Sequence, residues 1–404
     1  MKRLIKISFY LGLSLLSILI APLTIFIFFY IKFKKFKILI NHREMGFGHQ
    51  LVEPAYGYYI LKKYFKNKSL LFLRGKPVIK ILNKVYKDKI IFIHFIFTYL
   101  FYPFVYFLEK SKKNIIDIGS SSRNFDLLLY NQPKDKNYLL KRKRVFLKRI
   151  LFHKIFEKKD YIELKRNYNF PFDHMAKHIN SFSQEFNIDF KKDWYVCLHV
   201  RNDQGYDEVR SANLENYYEV CNYINSIGGR IILLGKNKNN LQNKNIINLA
   251  EKNYNNVLMN LYLLKNCRIF ISSCSGPSSI YSLFDTPQLN TNTAPFSAPA
   301  GYMSSYIPIL IFDVLDNRIL SLKETYNVFF ENNHLLPKRY KIIKNSSSDI
   351  LEAFKFKLKE VNSNNFFTHD QSHVLKSLHK YAYEKYLFSK IDPIFYEKNK
   401  NIII

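Results

Sequence analysis

Trp194-Tyr195-Val196-Cys197-Leu198-His199-Val200-Arg201 is an apolar run that ends in two basic side chains. Its length and composition predict a buried β-strand. On a strand, residues i and i+2 share a face, so His199 and Arg201 are expected to project the same way from its C-terminal end. A second run, Arg268-Ile269-Phe270-Ile271, enters Ser272-Ser273-Cys274-Ser275-Gly276-Pro277-Ser278-Ser279. This reads as a strand, a loop of small hydroxyl residues and a helix starting at Ser278. Small residues let backbone N–H groups approach a ligand, and a helix N-terminus adds positive potential. The two units together predict a cradle for a nucleotide diphosphate.

Strands and helices alternate outward from these units. A helix is expected near Asn213 to Ser226, a strand over Arg230–Leu234 ending at Gly235, and a short strand over Ile246–Leu249. A helix near Val257 to Lys265 precedes the second unit. Such alternation predicts a parallel α/β sheet, with ligands at the C-terminal ends of its strands. Asp349 and Glu352 form a capping pattern opening a helix to Lys359, and a further helix is read over Gln371 to Phe388. Upstream, Phe36-Lys37-Ile38-Leu39-Ile40 reads as a strand. It enters Asn41-His42-Arg43-Glu44-Met45-Gly46-Phe47-Gly48-His49-Gln50 and then a helical stretch from Val52 to Phe65. That order opens a second βαβ domain, although Gly46-x-Gly48 also suits a simple tight turn.

At 404 residues the chain has room for two domains. The expected division is a membrane anchor over 1–35, an N-terminal Rossmann-like domain over 36–185, a C-terminal nucleotide-binding domain over 186–335 and C-terminal helices over 336–404. A hydrophobic content of 48% excludes global disorder. The formal charge of +30 suggests nucleic acid or an anionic membrane. No RNA-binding motif and no regular basic-aromatic repeat is present, so no nucleic acid partner is expected. Part of the excess follows from a composition rich in Lys, Asn, Ile, Phe and Tyr. Cys197, Cys221, Cys267 and Cys274 form no Cys-x-x-Cys pair and no zinc-like spacing, which predicts a reducing compartment and no structural metal.

Ile7 to Ile31 is free of charge for 25 positions and flanked by basic residues, including Lys32, Lys34, Lys35 and Lys37. That length predicts a membrane anchor, with the positive C-terminal flank cytoplasmic. Pro22 leaves open a kinked or re-entrant helix. Ile90 to Leu108 is a second uncharged run, read equally as a core helix or an interfacial element. Tyr138 to Phe156 interleaves basic and apolar residues as in a helix lying on anionic lipid, or in a basic surface helix packed on its own core.

The stretch from Cys197 to Gly235 carries Leu198-His199-Val200-Arg201, then Arg210-Ser211-Ala212-Asn213-Leu214-Glu215-Asn216-Tyr217, then Gly228-Gly229 before the strand ending in Gly235. It resembles a family of bacterial glycosyltransferases. The likeness continues through Cys267–Ile271, the Ser-Gly loop, Phe284-Asp285-Thr286-Pro287 and Leu320-Ser321-Leu322-Lys323-Glu324, and covers roughly the C-terminal half. The His-x-Arg element also resembles that of the fucosyltransferase-like group with two Rossmann-like domains (GT-B type). The resemblance implies a nucleotide-sugar donor, with Arg201 holding the diphosphate and stabilising the departing nucleotide, and His199 beside it. It also implies a Gly turn on the acceptor side, matching Gly46 and Gly48. Pro277 departs from the pattern by removing a backbone donor. No Asp-x-Asp is present, so a metal-dependent plan has no support, and no cofactor is expected beyond the donor substrate.

Each candidate also has a plainer reading. Arg201 would otherwise pair with Asp203 or Asp207, and His199 would otherwise be a core histidine bonded to a backbone carbonyl. Arg210 is a second phosphate clamp or part of a helix-start ion pair. Ser273, Ser275 and Gly276 bind phosphate or ribose, or form an ordinary strand-to-helix turn. Gly235 is a turn glycine that lets a base approach. An inverting transferase needs a base for the acceptor hydroxyl, for which His49 and Glu44 are the candidates. The expected whole is a membrane-anchored glycosyltransferase at the cytoplasmic face of a bacterial inner membrane. It would transfer a sugar to a polysaccharide, lipopolysaccharide-type or other lipid-linked acceptor. The rivals are a transferase of another activated group, such as pyruvyl, and a non-catalytic nucleotide-binding membrane protein.

Overall fold

A computed structural model of the chain describes residues 12, 15, 16, 18, 19, 21–33, 37–40, 70–73, 90–93 and 115–117, then 172–201, 208–235, 246–251, 254–294, 301, 303–332, 336–366, 371–378 and 389–403. The chain divides into two compact units, Met1–Phe152 and His153–Ile404. Residues 153–193 therefore belong to the second unit.

In the first unit, helix α1 spans Ala21–Phe33. Four short apolar strands follow: β1 (Lys37–Ile40), β2 (Leu70–Leu73), β3 (Ile90–Ile93) and β4 (Ile115–Asp117). They pair in parallel in the order β3-β2-β1-β4. Continuous runs such as Leu-Leu-Phe-Leu and Ile-Ile-Phe-Ile suit parallel strands, whose two faces are both covered in doubly wound folds. The direction of winding reverses between β1 and β4, so the chain leaving Ile40 does so at this sheet's switch point. Glu44, Gly46, Gly48 and His49 lie outside the described residues, as do the helix read over Val52–Phe65 and the basic segment Tyr138–Phe156. Ile90–Ile93 corrects the reading of Ile90 to Leu108 as one helical run: its first four residues are strand β3.

Among the described residues no helix is long and apolar enough to cross a membrane. The anchor read over Ile7–Ile31 therefore gains no support as a spanning helix. Leu23, Ile25, Phe26, Phe29 and Phe33 of α1 are nonetheless all exposed.

The second unit opens with α2 (Ala176–Phe186) and holds a seven-stranded parallel sheet in the order β14-β10-β9-β8-β5-β6-β7. Its strands are β5 (Tyr195–His199), β6 (Arg230–Leu233), β7 (Ile246–Asn248), β8 (Ile269–Ser273), β9 (Gln288–Thr293), β10 (Ser304–Pro308) and β14 (Lys390–Ile391). Between β10 and β14 the chain forms a small antiparallel sheet of β11 (Leu310–Asp313), β12 (Arg318–Ile319) and β13 (Tyr340–Ile343). The large sheet runs from β5 outward to β6 and β7, then returns to β8 on the other side of β5. This is the doubly wound order, and its switch point lies between β5 and β8.

Alternation along the strands explains how the sheet is covered. The helices that follow in the unit include α3 (Tyr218–Ser226), α4 (Val257–Asn266), α5 (Leu322–Glu331) and α6 (Ser347–Ser363). Val196, Leu198, Ile231, Leu233, Ile269 and Ile271 join one buried cluster with Val220 and Ile224 of α3 and Ile350 and Phe354 of α6. Burying each such side chain contributes about 1.5–3 kcal/mol. Tyr195 alternates to the other face and donates its hydroxyl to the Leu263 carbonyl of α4 at 2.9 Å. Gly229, just before β6, has a packing reason: a Cβ there would sit 2.5 Å from the Trp194 ring. The segment after residue 336 belongs to this unit, and its long helix α6 packs on the sheet. The cap of α6 corrects the sequence reading, because Ser346 is the N-cap and Asp349 stands at the third helical position. Of the helix read over Gln371–Phe388, the described part is α7 (Ser372–Ser377).

Candidate functional site at the β5–β8 switch point

β5 and β8 pair so that His199 lies opposite Ser272. Both strands are apolar until their last residues, which leaves the polar side chains at the carboxyl edge. That edge is where open α/β sheets bind ligands.

Three serine hydroxyls fasten the end of β8. Ser273 Oγ accepts the backbone N–H of Arg201 at 2.7 Å. Ser275 Oγ lies 2.9 Å from His199 Nδ1. Ser272 Oγ donates to Asn290 Oδ1 of β9 at 2.8 Å. Arg210 closes the loop from the β5 side: its Nε donates to the Cys274 carbonyl at 3.2 Å. The carbonyl of Arg201 accepts the Ala212 N–H at 2.8 Å, which ties the start of this crossover to the strand end.

Gly235 follows β6, on the other side of β5. Its φ of +105° is a conformation that L side chains rarely adopt, and a Cβ there would be 3.1 Å from His199 Nε2. The imidazole is thus set between Ser275 and the open edge of Gly235. The Gly235 carbonyl accepts from Asn255 Nδ2 at 2.9 Å. His199, Arg201, Arg210, Gly235, Ser273, Ser275 and Gly276 are therefore brought to one sheet edge. Asp203 and Asp207, the alternative partners for Arg201, lie outside the described residues.

One expectation is corrected. The segment after the Ser-Gly loop is a seven-residue 3-10 helix, Gly276–Ser282, rather than an α-helix from Ser278. A short 3-10 helix has poorer hydrogen-bond geometry than an α-helix, so the α-helical N-terminus expected behind the loop is absent. Pro277 falls in its first turn, where the missing N–H has no intrahelical partner to lose. Ser278 Oγ donates back to the Ser275 carbonyl and fixes the turn. Any anion held here would depend on side chains and loop N–H groups.

Hydropathy alone does not reveal β9. Its six residues, Gln-Leu-Asn-Thr-Asn-Thr, are almost completely buried although five are polar. Tyr217 shares a hydrogen bond with Thr291, and Asn292 Nδ2 donates to the Tyr217 hydroxyl at 3.3 Å. Burial drives the Tyr217 hydroxyl up to about 12, against the opposing pull of Thr291 and Asn292, so it stays neutral. Asn292 and Asn345 exchange two backbone-to-side-chain bonds, and Asn345 also donates to the Pro308 carbonyl at 2.9 Å. The available signal is punctuation: a strand-length hexapeptide bounded by Thr286-Pro287 and Ala294-Pro295.

All four cysteines are buried free thiols, and burial pushes Cys197 and Cys221 up and away from reactivity. Among the described residues no group of three or more His, Cys, Asp or Glu is arranged to hold a metal ion.

No family model matches the chain, and no curated protein matches it. Among solved structures it is similar to a family 9 glycosyl transferase from Veillonella parvula, with 11% identity, 80% of this chain and 97% of that chain covered, and a TM-score of 0.45. It is also similar to the ADP-heptose LPS heptosyltransferase II of E. coli, with 10% identity, 81% and 99% covered, and a TM-score of 0.43. A UDP-GlcNAc 2-epimerase from Methanocaldococcus jannaschii gives 14% identity, 80% and 99% covered, and a TM-score of 0.37. Scores of this size describe a general likeness of chain path and assign no activity.

Proposed function

We propose that the chain is a glycosyltransferase of GT-B type, moving a sugar from a nucleoside diphosphate donor to a polysaccharide or lipopolysaccharide-type acceptor. The observation that carries this reading is the convergence of His199, Arg201, Arg210 and the serine loop at the β5–β8 switch point. As the bond between the anomeric carbon and the diphosphate oxygen breaks, negative charge develops on the departing nucleotide. A guanidinium meets two such oxygens at once and stays charged throughout. Arg201 takes that role, with His199 oriented by Ser275 beside it and Arg210 as a second cation on the loop. The new bond forms from the acceptor hydroxyl oxygen, whose proton passes to a base on the acceptor side; His49 and Glu44 are the candidates. The reading is inverting and needs no metal.

Membrane association belongs to the same proposal. The exposed apolar side chains of α1, with Lys32 in its last turn and Lys34, Lys35 and Lys37 after it in sequence, suit a bilayer with anionic lipid. This would hold the enzyme at the cytoplasmic face of a bacterial inner membrane, beside a lipid-linked acceptor.

The test is calorimetric titration of the full-length protein in detergent with ADP, GDP, UDP, CDP and CMP, with and without EDTA. One nucleoside diphosphate is expected to bind whether or not EDTA is present. In Arg201→Ala, affinity is expected to fall by about a hundredfold, equivalent to roughly 3 kcal/mol, with the thermal midpoint retained. Wild-type affinity in Arg201→Ala would remove the clamp. Binding without turnover of any sugar donor would favour the nucleotide-sensing alternative.

A further inference from the structure

β9 lies inside a parallel sheet, between β8 and β10, where strands are normally near-continuous in Val, Ile and Leu. On one side of it, β8 and then β5 follow that rule until their last residues. β9 breaks it along its whole length, with Gln288, Asn290, Thr291, Asn292 and Thr293 all at 1% exposure or less. Buried amides and hydroxyls are unfavourable unless hydrogen-bonded. Thr291 and Asn292 are bonded into the Tyr217–Asn345 network, which ties β9 to the end of β10, to the turn before α3 and to the start of α6. Thr291 Oγ1 also donates to the Ser272 carbonyl at 3.4 Å, a contact with the β8 backbone rather than with a serine side chain.

Asn290 is different in two respects. It is in register with Ser272, which is in register with His199, so these three residues form one row across β9, β8 and β5 on a single face. Its amide is also only half used: Oδ1 accepts from Ser272 Oγ, whereas Nδ2 is shielded from solvent and has no hydrogen-bond partner among the described residues. The bond to Ser272 is thus the one side-chain hydrogen bond this amide makes among the described residues.

We infer that Asn290 is a positioning residue for the β5–β8 site, acting through Ser272 on the end of β8. The consecutive residues Ser272 and Ser273 bond in opposite directions along the sheet, Ser272 to β9 and Ser273 to the Arg201 N–H beyond β5. Two residues later Ser275 meets His199. Asn290 is the outer anchor of this row. It fixes the height at which β8 gives way to the loop, and so where the loop holds His199 and the Arg201 backbone. The inference rests on the proposed donor site.

The test uses the full-length protein carrying Ser272→Ala and Asn290→Leu together. Removing both partners leaves no orphaned group at this bond, so folding is expected to survive. Two quantities are measured: the 15N signals of the His199 ring, identified by their loss in His199→Gln, and affinity for the nucleoside diphosphate bound by the wild type. The expected result is a changed His199 protonation or tautomer signature, roughly tenfold weaker binding and a retained thermal midpoint. Asn290→Asp alone keeps an acceptor for Ser272 and is expected to keep the wild-type His199 signature. An unchanged His199 signature with wild-type affinity in the double variant overturns the inference. If the double variant does not fold, Ser272→Ala alone gives the same two readouts, with the same supporting and overturning results. If the wild type binds no nucleotide, the proposed function fails, and the His199 signature alone decides the role of Asn290.

Discussion

β8 and β9 are neighbours in one sheet, equally buried and opposite in composition. β8 places Ile269, Phe270 and Ile271 in the core and keeps its hydroxyls for the end, where they face the site. β9 carries polar side chains at every position but Leu289 and is held by a network that crosses three other parts of the unit. Apolar burial is non-directional and tolerates small shifts, whereas hydrogen bonds fix distance and angle. Beside the proposed donor site, the directional strand supplies register that an aliphatic strand would not.

That comparison can be broken most forcefully in β8. Ile271→Ala removes a fully buried side chain from the cluster between sheet and helices, and is expected to lower stability by about 2–5 kcal/mol in urea unfolding. A loss below about 1 kcal/mol would mean that this face is loosely packed. In β9 the matching experiment is Tyr217→Phe, which leaves Thr291 and Asn292 without their shared hydroxyl. The expected loss is about 1–3 kcal/mol, and the apolar character of Phe should not compensate. A neutral result would show that the Tyr217 hydroxyl contributes nothing to holding the polar strand.

A third buried polar group sharpens the point through pH. Asp392 is fully buried; Oδ1 accepts from the Ile394 and Phe395 N–H groups at 3.1 Å, and Oδ2 has no hydrogen-bond partner among the described residues. Burial, opposed by those two backbone bonds and by Lys357, pushes its carboxyl up to about 6. The folded state therefore holds the proton more tightly than the unfolded chain does. Its stabilising contribution is complete below about pH 4 and is lost as pH rises through about 6. Asp392→Asn keeps the capping oxygen and removes the titration. Its stability relative to wild type should rise between about pH 4 and 6 by on the order of 1–3 kcal/mol and level off above that. A constant difference across that range would contradict the assignment.

What is legible in the sequence follows the same division. β1, β5, β6, β7 and β8 announce themselves as apolar runs bounded by polar turns, and the alternation with helices gives the parallel sheet. The residues gathered at the β5–β8 edge are readable because strand ends are where a buried run must turn polar. β9 is not readable, because its apolar signal is absent and its partners Tyr217 and Asn345 are distant in the chain, 74 and 53 residues from their bonding positions. β3 is hidden because Ile90–Ile93 continues into further apolar residues, and period alone does not separate a short strand from a helix. The turn at Gly276 reads as an α-helix because Ser, Gly and Pro open both kinds of helix. The cap at Ser346 is obscured by the cluster of polar residues that follows it, which draws the capping pattern to Asp349 and Glu352.

The central claim is that the crevice between β5 and β8 is the donor site. Hydrogen-exchange mass spectrometry of the full-length protein, with and without a saturating nucleoside diphosphate, tests it most directly. Amide protection is expected in peptides covering His199–Arg201 and Ser273–Ser278, and should disappear in Arg201→Ala. Protection confined to the small sheet of β11, β12 and β13, or none at the β5 and β8 ends, would contradict the account.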